Sequence, residues 1–519
     1  MKRTAVEWLV DGLRRRGVEW MAALCGHGLD PLFDAAERAG IRLIDTRNEQ
    51  TAAYIAEYYG RLTGKPGVCA TSSGVAVANA LTGVVNAWFD QAPMLYFSGS
   101  ANLPTLGLGG FQDMDHAEFV KPVARYSKFV DVPERIVHML DEAWRAAKSS
   151  PQGPAHLMLP LDIQKTEVAE CDLVLPNAGG APVGPNLQAV DAIARALLEA
   201  RKPLILASSP VFYSGQGQDL VALAEALSIP VQTPIWDRGV FDSSSEAFLG
   251  VIGAATGGPA LLEECDCLIL AGVPSDYRVG YLQRAGVATH RLVRGWRQLR
   301  ERASDLGVEA KSEWLTTART KRDLHTARVR DMAAKQAVPG QTHAIDLVTA
   351  IGEALPAEGT LVIDGGSIGQ WAHQLLCERR YPSHWLTCGR SGVVGYGLGG
   401  AMAARLAFPG KPVVLLSGDG AFTFTVAEIE CAVRQKLPFV AIVADDRCWG
   451  ITHSGHLKQF GHGIGTELGP IRFDLLAQSL GAEGRVVTDR AALVPEIRRA
   501  IASGTVTLLH VPIVGGNPA

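Results

Sequence analysis

Short apolar runs alternate with stretches of helical spacing along nearly the whole chain. "IRLIDT" (41–46) has a strand pattern, and "NEQTAAYIAEYYGRLTG" (48–64) that of a helix stopped by Gly64. "PGVCATSSG" (66–74) predicts a strand and turn, "VAVANALTGVVNAWFDQAP" (75–93) a helix, and "MLYFSGS" (94–100) a further strand. The segment closes at "GPAHLMLPLDIQ" (153–164), and the Pro/Gly-rich "LVLPNAGGAPVGPN" (173–186) then has the composition of a linker. The rhythm resumes in "KPLILASSPVFYSG" (202–215), "ALAEALSIPVQT" (222–233) and "CDCLILAGVPSDYRVGY" (265–281). A charged helical stretch, "ARTKRDLHTARVRDMAAKQ" (318–336), leads into "GTLVIDGGSIGQWAHQLL" (359–376), "GRSGVVGYGLGGAMAARLAF" (389–408) and "LLSGDGAFTFTVAEIECAVRQKLPFVAIVADDRCWG" (415–450).

Strand and helix in turn predict parallel sheets covered by helices on both faces. The expected fold class is α/β, with three consecutive doubly wound parallel-sheet domains at 1–168, 185–325 and 340–519.

Composition narrows the class of protein. The 519 residues exceed what one core holds, and 47% hydrophobic with 20% charged residues is ordinary for a folded chain. A net charge of -4 without a basic block argues against nucleic acid or an anionic membrane as partner. No apolar run reaches bilayer-spanning length, and the start lacks signal-peptide character. The nine cysteines are scattered, without zinc or disulfide spacing, so a reduced, cytoplasmic protein is expected.

The last of the quoted stretches carries the candidate chemistry. Asp419 ends one apolar strand between two glycines, and Asp445 and Asp446 end the next. Carboxylates at the carboxyl ends of adjacent parallel strands lie where open α/β sheets bind ligands. A hard cation such as Mg²⁺ takes carboxylates, a carbonyl, phosphate and water. The segment "FTFTVAEIECAVRQ" (422–435) is read as a helix whose positive end favours an anion. Asp-Gly turns are common, so this stretch alone leaves turn aspartates as the competing explanation.

Gly-Asp-Gly followed in the next strand by a polar pair resembles the signature of thiamine-diphosphate enzymes, and "TVAEIECAVRQKLPFVAIV" and the "WG" beyond extend the likeness. The resemblance implies thiamine diphosphate and Mg²⁺ (or Ca²⁺ or Mn²⁺), with Asp419, Asp446 and the carbonyl of Cys448 on the metal. The family pair is Asn-Asn or a close variant, and here it is Asp445-Asp446. Around the diphosphate the resemblance places Gly366, Ser367, Ile368, Gly418, Gly420, Ala421, Trp449, Gly450 and Ile451.

A second, distant motif agrees. "DTRNEQ" and its surroundings resemble the pyrimidine-binding domain of the acetolactate synthase and pyruvate oxidase group, which makes Glu49 the carboxyl that activates the cofactor's aminopyrimidine. A buried Glu with a raised pKa suits that task. The usual His before it is Asn48. "GRSGVVGYG" resembles the opposite grip on the pyrimidine, through the Gly392 carbonyl and the Val394 side chain. The family assembles each site from two subunits, which implies a homodimer at least and a homotetramer as the expected state.

For the reaction, "FQDMD" (111–115) is similar to acetolactate synthase, placing Gln112 and Phe111 at the substrate, and Arg278 matches an arginine that holds an acceptor carboxylate. The synthase's pocket tryptophan corresponds to Gly455 and a lysine to Leu161. "NAWFDQAPMLYFSGS" is equally similar to benzaldehyde lyase, whose active-site His lies one position from His27. The leading expectation is an acetolactate synthase-like carboligase or decarboxylase acting on pyruvate or a related 2-oxo acid through an enamine/carbanion intermediate. The alternatives are a C–C lyase on 2-hydroxyketones or 2-hydroxyacyl thioesters, and a cofactor-binding partner subunit without turnover. FAD is not expected. "THSGHLKQFGHG" (452–463) is read as a mobile loop over the substrate rather than a zinc site.

Overall fold

The computed structural model describes residues 3–169, 184–241, 245–253, 259–282, 286–376 and 385–515. The predicted linker lies almost entirely outside them. Three parallel sheets organise the chain. The first has strands β1 (Trp20–Leu24), β2 (Arg42–Asp45), β3 (Gly67–Thr71), β4 (Met94–Ser100), β5 (Tyr126–Phe129) and β6 (Pro154–Pro160), in the order β2-β1-β3-β4-β6-β5. The second has β7 (Pro203–Ala207), β8 (Val231–Pro234), β9 (Phe248–Ile252), β10 (Cys267–Ala271) and β11 (Ala288–Arg291), in the order β9-β8-β7-β10-β11. The third has β12 (Thr360–Asp364), β13 (Trp385–Leu386), β14 (Val413–Gly418), β15 (Val440–Asp445), β16 (Glu483–Val486) and β17 (Thr507–Pro512), in the order β13-β12-β14-β15-β17-β16.

β3, β4 and β6 are buried along their whole length, which is why they read as continuous apolar runs rather than alternating ones. The helix Glu49–Thr63 starts at Asn48, whose side chain accepts from Gln50 N–H, and stops at Gly64 in the left-handed region (φ 67°). Most of that helix is buried on all sides. It packs against the helices Val75–Asp90 and Gly397–Ala407, and Tyr58 stacks on Tyr396 at 4.7 Å between centroids.

By contacts the chain forms two compact units. One comprises Met1–Pro182, Gly389–Pro409 and Thr425–Pro438, and the other Val183–Cys388, Gly410–Phe424 and Phe439–Ala519. Among the described residues no helix is long and apolar enough to cross a membrane.

Two local expectations are corrected. The stretch 422–435 is not one helix. A single turn, Asp419–Thr423, is followed by a separate helix, Glu428–Arg434. Between them Thr425 donates to the Gly395 carbonyl at 2.9 Å, and Glu428 turns its carboxylate to the Arg47 N–H. One turn carries little of a helix's dipole, so it contributes little to holding an anion. The supposed loop after Trp449 is a helix, Gly450–Phe460, ended by Gly461. Its histidines bind the following segment, with His453 Nδ1 2.7 Å from Thr466 Oγ1 and His456 Nδ1 accepting from Ile464 N–H.

Candidate active site

The first compact unit carries one set of candidate residues. Glu49 opens its helix half-buried, rather than buried as expected, because it sits in the first exposed turn. Asn79, on the Val75–Asp90 helix, donates to Glu49 Oε2 at 2.6 Å and to Asn48 Oδ1 at 3.1 Å. Asn79 was missed from sequence; its only signal is a polar residue interrupting an apolar helix.

The turn bearing Gly392 and Val394 is tied to the same helix. Asp90 accepts from Arg390 N–H (3.0 Å), and Asn86 accepts from the Ser391 hydroxyl (2.6 Å). Gly392 is exposed and Val394 half-buried, so neither is consumed by the core.

His27, Phe111 and Gln112 converge at the carboxyl ends of β1 and β3. The His27 ring meets that of Phe111 edge-on at 5.7 Å, and the His27 carbonyl accepts from Ser72 Oγ at 2.8 Å. Ser73 Oγ donates to Gln112 Oε1 at 3.1 Å. Phe111 is 72% exposed, a large apolar side chain left in water beside two polar ones. Such a patch suits contact with a ligand.

The second compact unit carries the carboxylates. Gly418 pairs in register with Ala444, so Asp419 and Asp445 emerge side by side at the ends of β14 and β15. His510, on β17, takes Asp445 at 2.8 Å. That interaction holds Asp445 below the usual carboxylate range although burial opposes it. Asp446 is thereby the member of the pair left for a ligand, and its Oδ1 accepts from Cys448 N–H at 3.2 Å. Burial, with Asp446 beside it, pushes Asp419 up to about 7, and burial also raises Asp446. Closely placed carboxyls that resist ionising together are the donor set a divalent cation stabilises.

Among the described residues no three His, Cys, Asp or Glu side chains form a complete metal cage. A cation here would complete its shell with a backbone carbonyl, phosphate and water. Cys448 fits that limit, since burial pushes its thiol up to about 11 and leaves its carbonyl as the donor.

A close-walled cradle adjoins these carboxylates. A Cβ on Gly450 would run into Ser367 Oγ and lie 3.4 Å from Asp446 Oδ2, and one on Gly420 would come within 2.8 Å of the Trp449 ring. Ser367 Oγ is buried without a partner, a hydroxyl that a phosphate oxygen would satisfy. Gly366 and Ser367 stand at the N-terminus of the helix Ser367–Leu375, whose free N–H groups favour an anion. Ile368 is 3% exposed, so it can offer backbone only. Ala421 is buried, Gly418 half-buried, and Ile451 lies against Gly366. The residues present fit a metal-bound diphosphate.

Residues 3–119, 190–293 and 364–511 match the family models for the N-terminal, central and C-terminal domains of thiamine pyrophosphate enzymes. The chain is a thiamine pyrophosphate enzyme. A probable acetolactate synthase of Mycobacterium bovis is 31% identical to it over 96% of this chain and 94% of the relative. A 2-hydroxyacyl-CoA lyase 2 of Caenorhabditis elegans is 27% identical over 95% and 86%, and that of Homo sapiens 27% over 92% and 84%. This thiamine pyrophosphate enzyme therefore belongs to the acetolactate synthase-like group, whose members form or cleave C–C bonds.

Arg278 has a different environment from the one a substrate arginine needs. It is 1% exposed, pairs with Asp276 at 2.9 Å and Asp237 at 3.6 Å, and donates to the Ile235 carbonyl. Its guanidinium is committed to protein partners. Gly455 lies exposed on the Gly450–Phe460 helix, with open space where a side chain would stand.

Proposed function

We propose that the enzyme is an acetolactate synthase-like carboligase or decarboxylase that takes pyruvate or a related 2-oxo acid as donor. The observation that carries the cofactor assignment is the Asp419–Asp446 pair beside the unpartnered Ser367 hydroxyl. Asp419, Asp446 and the Cys448 carbonyl would hold Mg²⁺, or Ca²⁺ or Mn²⁺, against the diphosphate. Residues 366–368, 418–421 and 449–451 would border the diphosphate, and Gly392 and Val394 the pyrimidine. Glu49, steadied by Asn79, would hold a proton at the pyrimidine nitrogen. Thiamine diphosphate supplies a nucleophilic thiazolium carbon when bound. Gln112 and His27 would then orient the substrate oxygen, and Phe111 would exclude water from it. Each site would draw Glu49 from one copy and the carboxylate cradle from another, in a homodimer or homotetramer, in a reducing cytoplasm.

A second reading, a lyase on 2-hydroxyketones or 2-hydroxyacyl thioesters, is favoured by Arg278. With its guanidinium paired internally, Arg278 does not serve as a clamp for an acceptor carboxylate.

Titration of apo-protein with thiamine diphosphate and Mg²⁺, followed by near-UV circular dichroism, tests both. If wild type gives a new band with pyruvate and releases carbon dioxide, while Glu49→Gln binds cofactor without reacting, the first reading stands. Cleavage of benzoin with indifference to pyruvate selects the second. Failure to bind cofactor refutes both.

A further inference from the structure

A chain of hydrogen bonds, buried except at the half-buried Ser127, runs behind Gln112 and ends on backbone at each end. Gly74 N–H meets His116 Nε2 at 2.8 Å, and His116 Nδ1 lies 3.3 Å from Ser98 Oγ. Ser98 Oγ is 2.8 Å from His156 Nε2, and His156 Nδ1 is 2.9 Å from Ser127 Oγ. Ser127 Oγ donates to the Ala117 carbonyl at 2.7 Å. Both imidazoles are fully buried.

One placement of hydrogens satisfies every link. A backbone amide can only donate, so His116 Nε2 is bare and Nδ1 carries the proton, which goes to Ser98 Oγ. Ser98 then gives its own hydrogen to His156 Nε2. From the other end, a carbonyl can only accept, so the Ser127 hydroxyl is committed to Ala117 and must accept from His156 Nδ1–H. The two ends independently force the same order. An added proton on His116 would set N–H against the Gly74 N–H. One on His156 would turn the Ser98 hydroxyl towards a His116 Nδ1 that already bears hydrogen.

The chain holds the turn on which Gln112 rests. Gly74 caps the Val75–Asp90 helix at φ 63°, ψ -119°, which only glycine adopts without strain, and a Cβ there would come within 2.7 Å of Gln112 Cβ. Gln112 itself lies at φ 56°, and its Oε1 is fixed by Ser73.

We infer that His116 and His156 are positioning residues: neutral, Nδ1-protonated imidazoles whose fixed hydrogen order holds the Ser73–Gly74 turn against Gln112, without transferring protons. The inference deepens the proposed function, since it rests on Gln112 facing the substrate. Burial acts in the same direction, lowering His116 to about 4 and His156 to about 3. Around them, Asp115, a backbone hydrogen bond with Gly99 and Asp113 favour charge on His116 without outweighing burial, His116 disfavours charge on His156, and the Tyr96 ring lies 5.0 Å from that of His156.

The test uses the holoenzyme with thiamine diphosphate and Mg²⁺, labelled with ¹⁵N-histidine. Long-range ¹H–¹⁵N spectra should show both rings with Nδ1 protonated and Nε2 bare, unchanged from about pH 7.5 to about pH 5.5. His116→Gln and His156→Gln assign the signals. A charged or Nε2-protonated ring at either position overturns the inference. His116→Gln keeps an acceptor for Gly74 N–H, and His116→Leu removes it. At equal bound cofactor, the Leu variant should lose about tenfold or more in kcat on pyruvate or benzoin, and the Gln variant less than about threefold, both with unchanged Kd for thiamine diphosphate. Equal kcat in the two variants, or a common loss of cofactor affinity, overturns it. Ser98→Ala breaks the chain with little change in volume, and covers the case in which His116→Leu does not fold. It should leave His156 Nδ1-protonated, since Ser127 still fixes that hydrogen, shift the Nε2 resonance that loses its donor, and lower kcat severalfold; a switched tautomer or a wild-type kcat would overturn the inference. If wild type turns over neither donor, the functional reading fails while the spectra still decide the hydrogen order.

Discussion

Glu428 offers a test with a sign that cannot be adjusted afterwards. It is 1% exposed, and its two carboxylate oxygens each accept from Arg47 N–H at 3.1 Å, immediately before the Asn48 cap of the Glu49 helix. Burial pushes it from the ordinary 4.5 up to about 7, despite that hydrogen bond. The folded chain therefore holds a proton the unfolded chain releases, a preference of about 3 kcal/mol. Below about pH 4.5 both states are protonated and the group is neutral in the balance. As pH rises towards about 7 only the unfolded chain ionises, so stability falls, and above that the loss is complete. Glu428→Gln cannot ionise and keeps one oxygen for Arg47. Between pH 4.5 and pH 8 the variant should gain on wild type by about 3 kcal/mol, a factor of about a hundred in the opening equilibrium. Native-state hydrogen exchange of the 46–52 amides reads this without requiring the whole chain to unfold in one step. Parallel pH dependences in wild type and variant would show that Glu428 holds no extra proton in the folded chain.

Three further outcomes are expected. Arg278→Met should lower the thermal midpoint, because it removes the cation paired with buried Asp237 and half-buried Asp276, at a cost of about 3 kcal/mol, and should leave KM values intact. Weakened acceptor binding at unchanged stability would return Arg278 to the substrate. Asp446→Asn should keep or improve affinity for thiamine diphosphate with Mg²⁺, since an amide oxygen still ligates and one negative charge is removed, while Asp419→Asn should weaken it, both by calorimetry. A large loss in Asp446→Asn would show that the second aspartate is needed as a carboxylate. Gly450→Ala should lower cofactor affinity about tenfold with little change in fold, as its methyl displaces Ser367 Oγ from the cradle. Unchanged affinity would place the diphosphate elsewhere.

Much of the sheet framework was legible because both-sided burial leaves a plain mark, the apolar runs at 67–71, 94–100 and 440–445. The positions of Glu49, Asp419 and Asp446 beyond strand ends were legible because an apolar run stops shortly before each. Partners supplied across the fold were not. His510 sits in an ordinary strand, "TLLHVP", and nothing local says that Asp445 is its partner. Asn79 and His116 likewise acquire meaning only when a neighbouring element supplies Glu49 or Gly74. The break at 424–427 was hidden for the same reason, since nothing local marks the distant contacts of Thr425 and Glu428 that accompany it.

The first compact unit is built from three separate stretches of chain, the last ending at Pro438. A ribosome has made most of the protein before that unit's final helix exists. Until then the Glu49 helix lacks Tyr396 beside Tyr58 and Glu428 beneath Arg47. An excised amino-terminal domain would thus expose an apolar helix face and an uncapped carboxylate partner site. Nascent chains face the same interval, and chaperone dependence should be greatest while residues 389–438 are still to emerge.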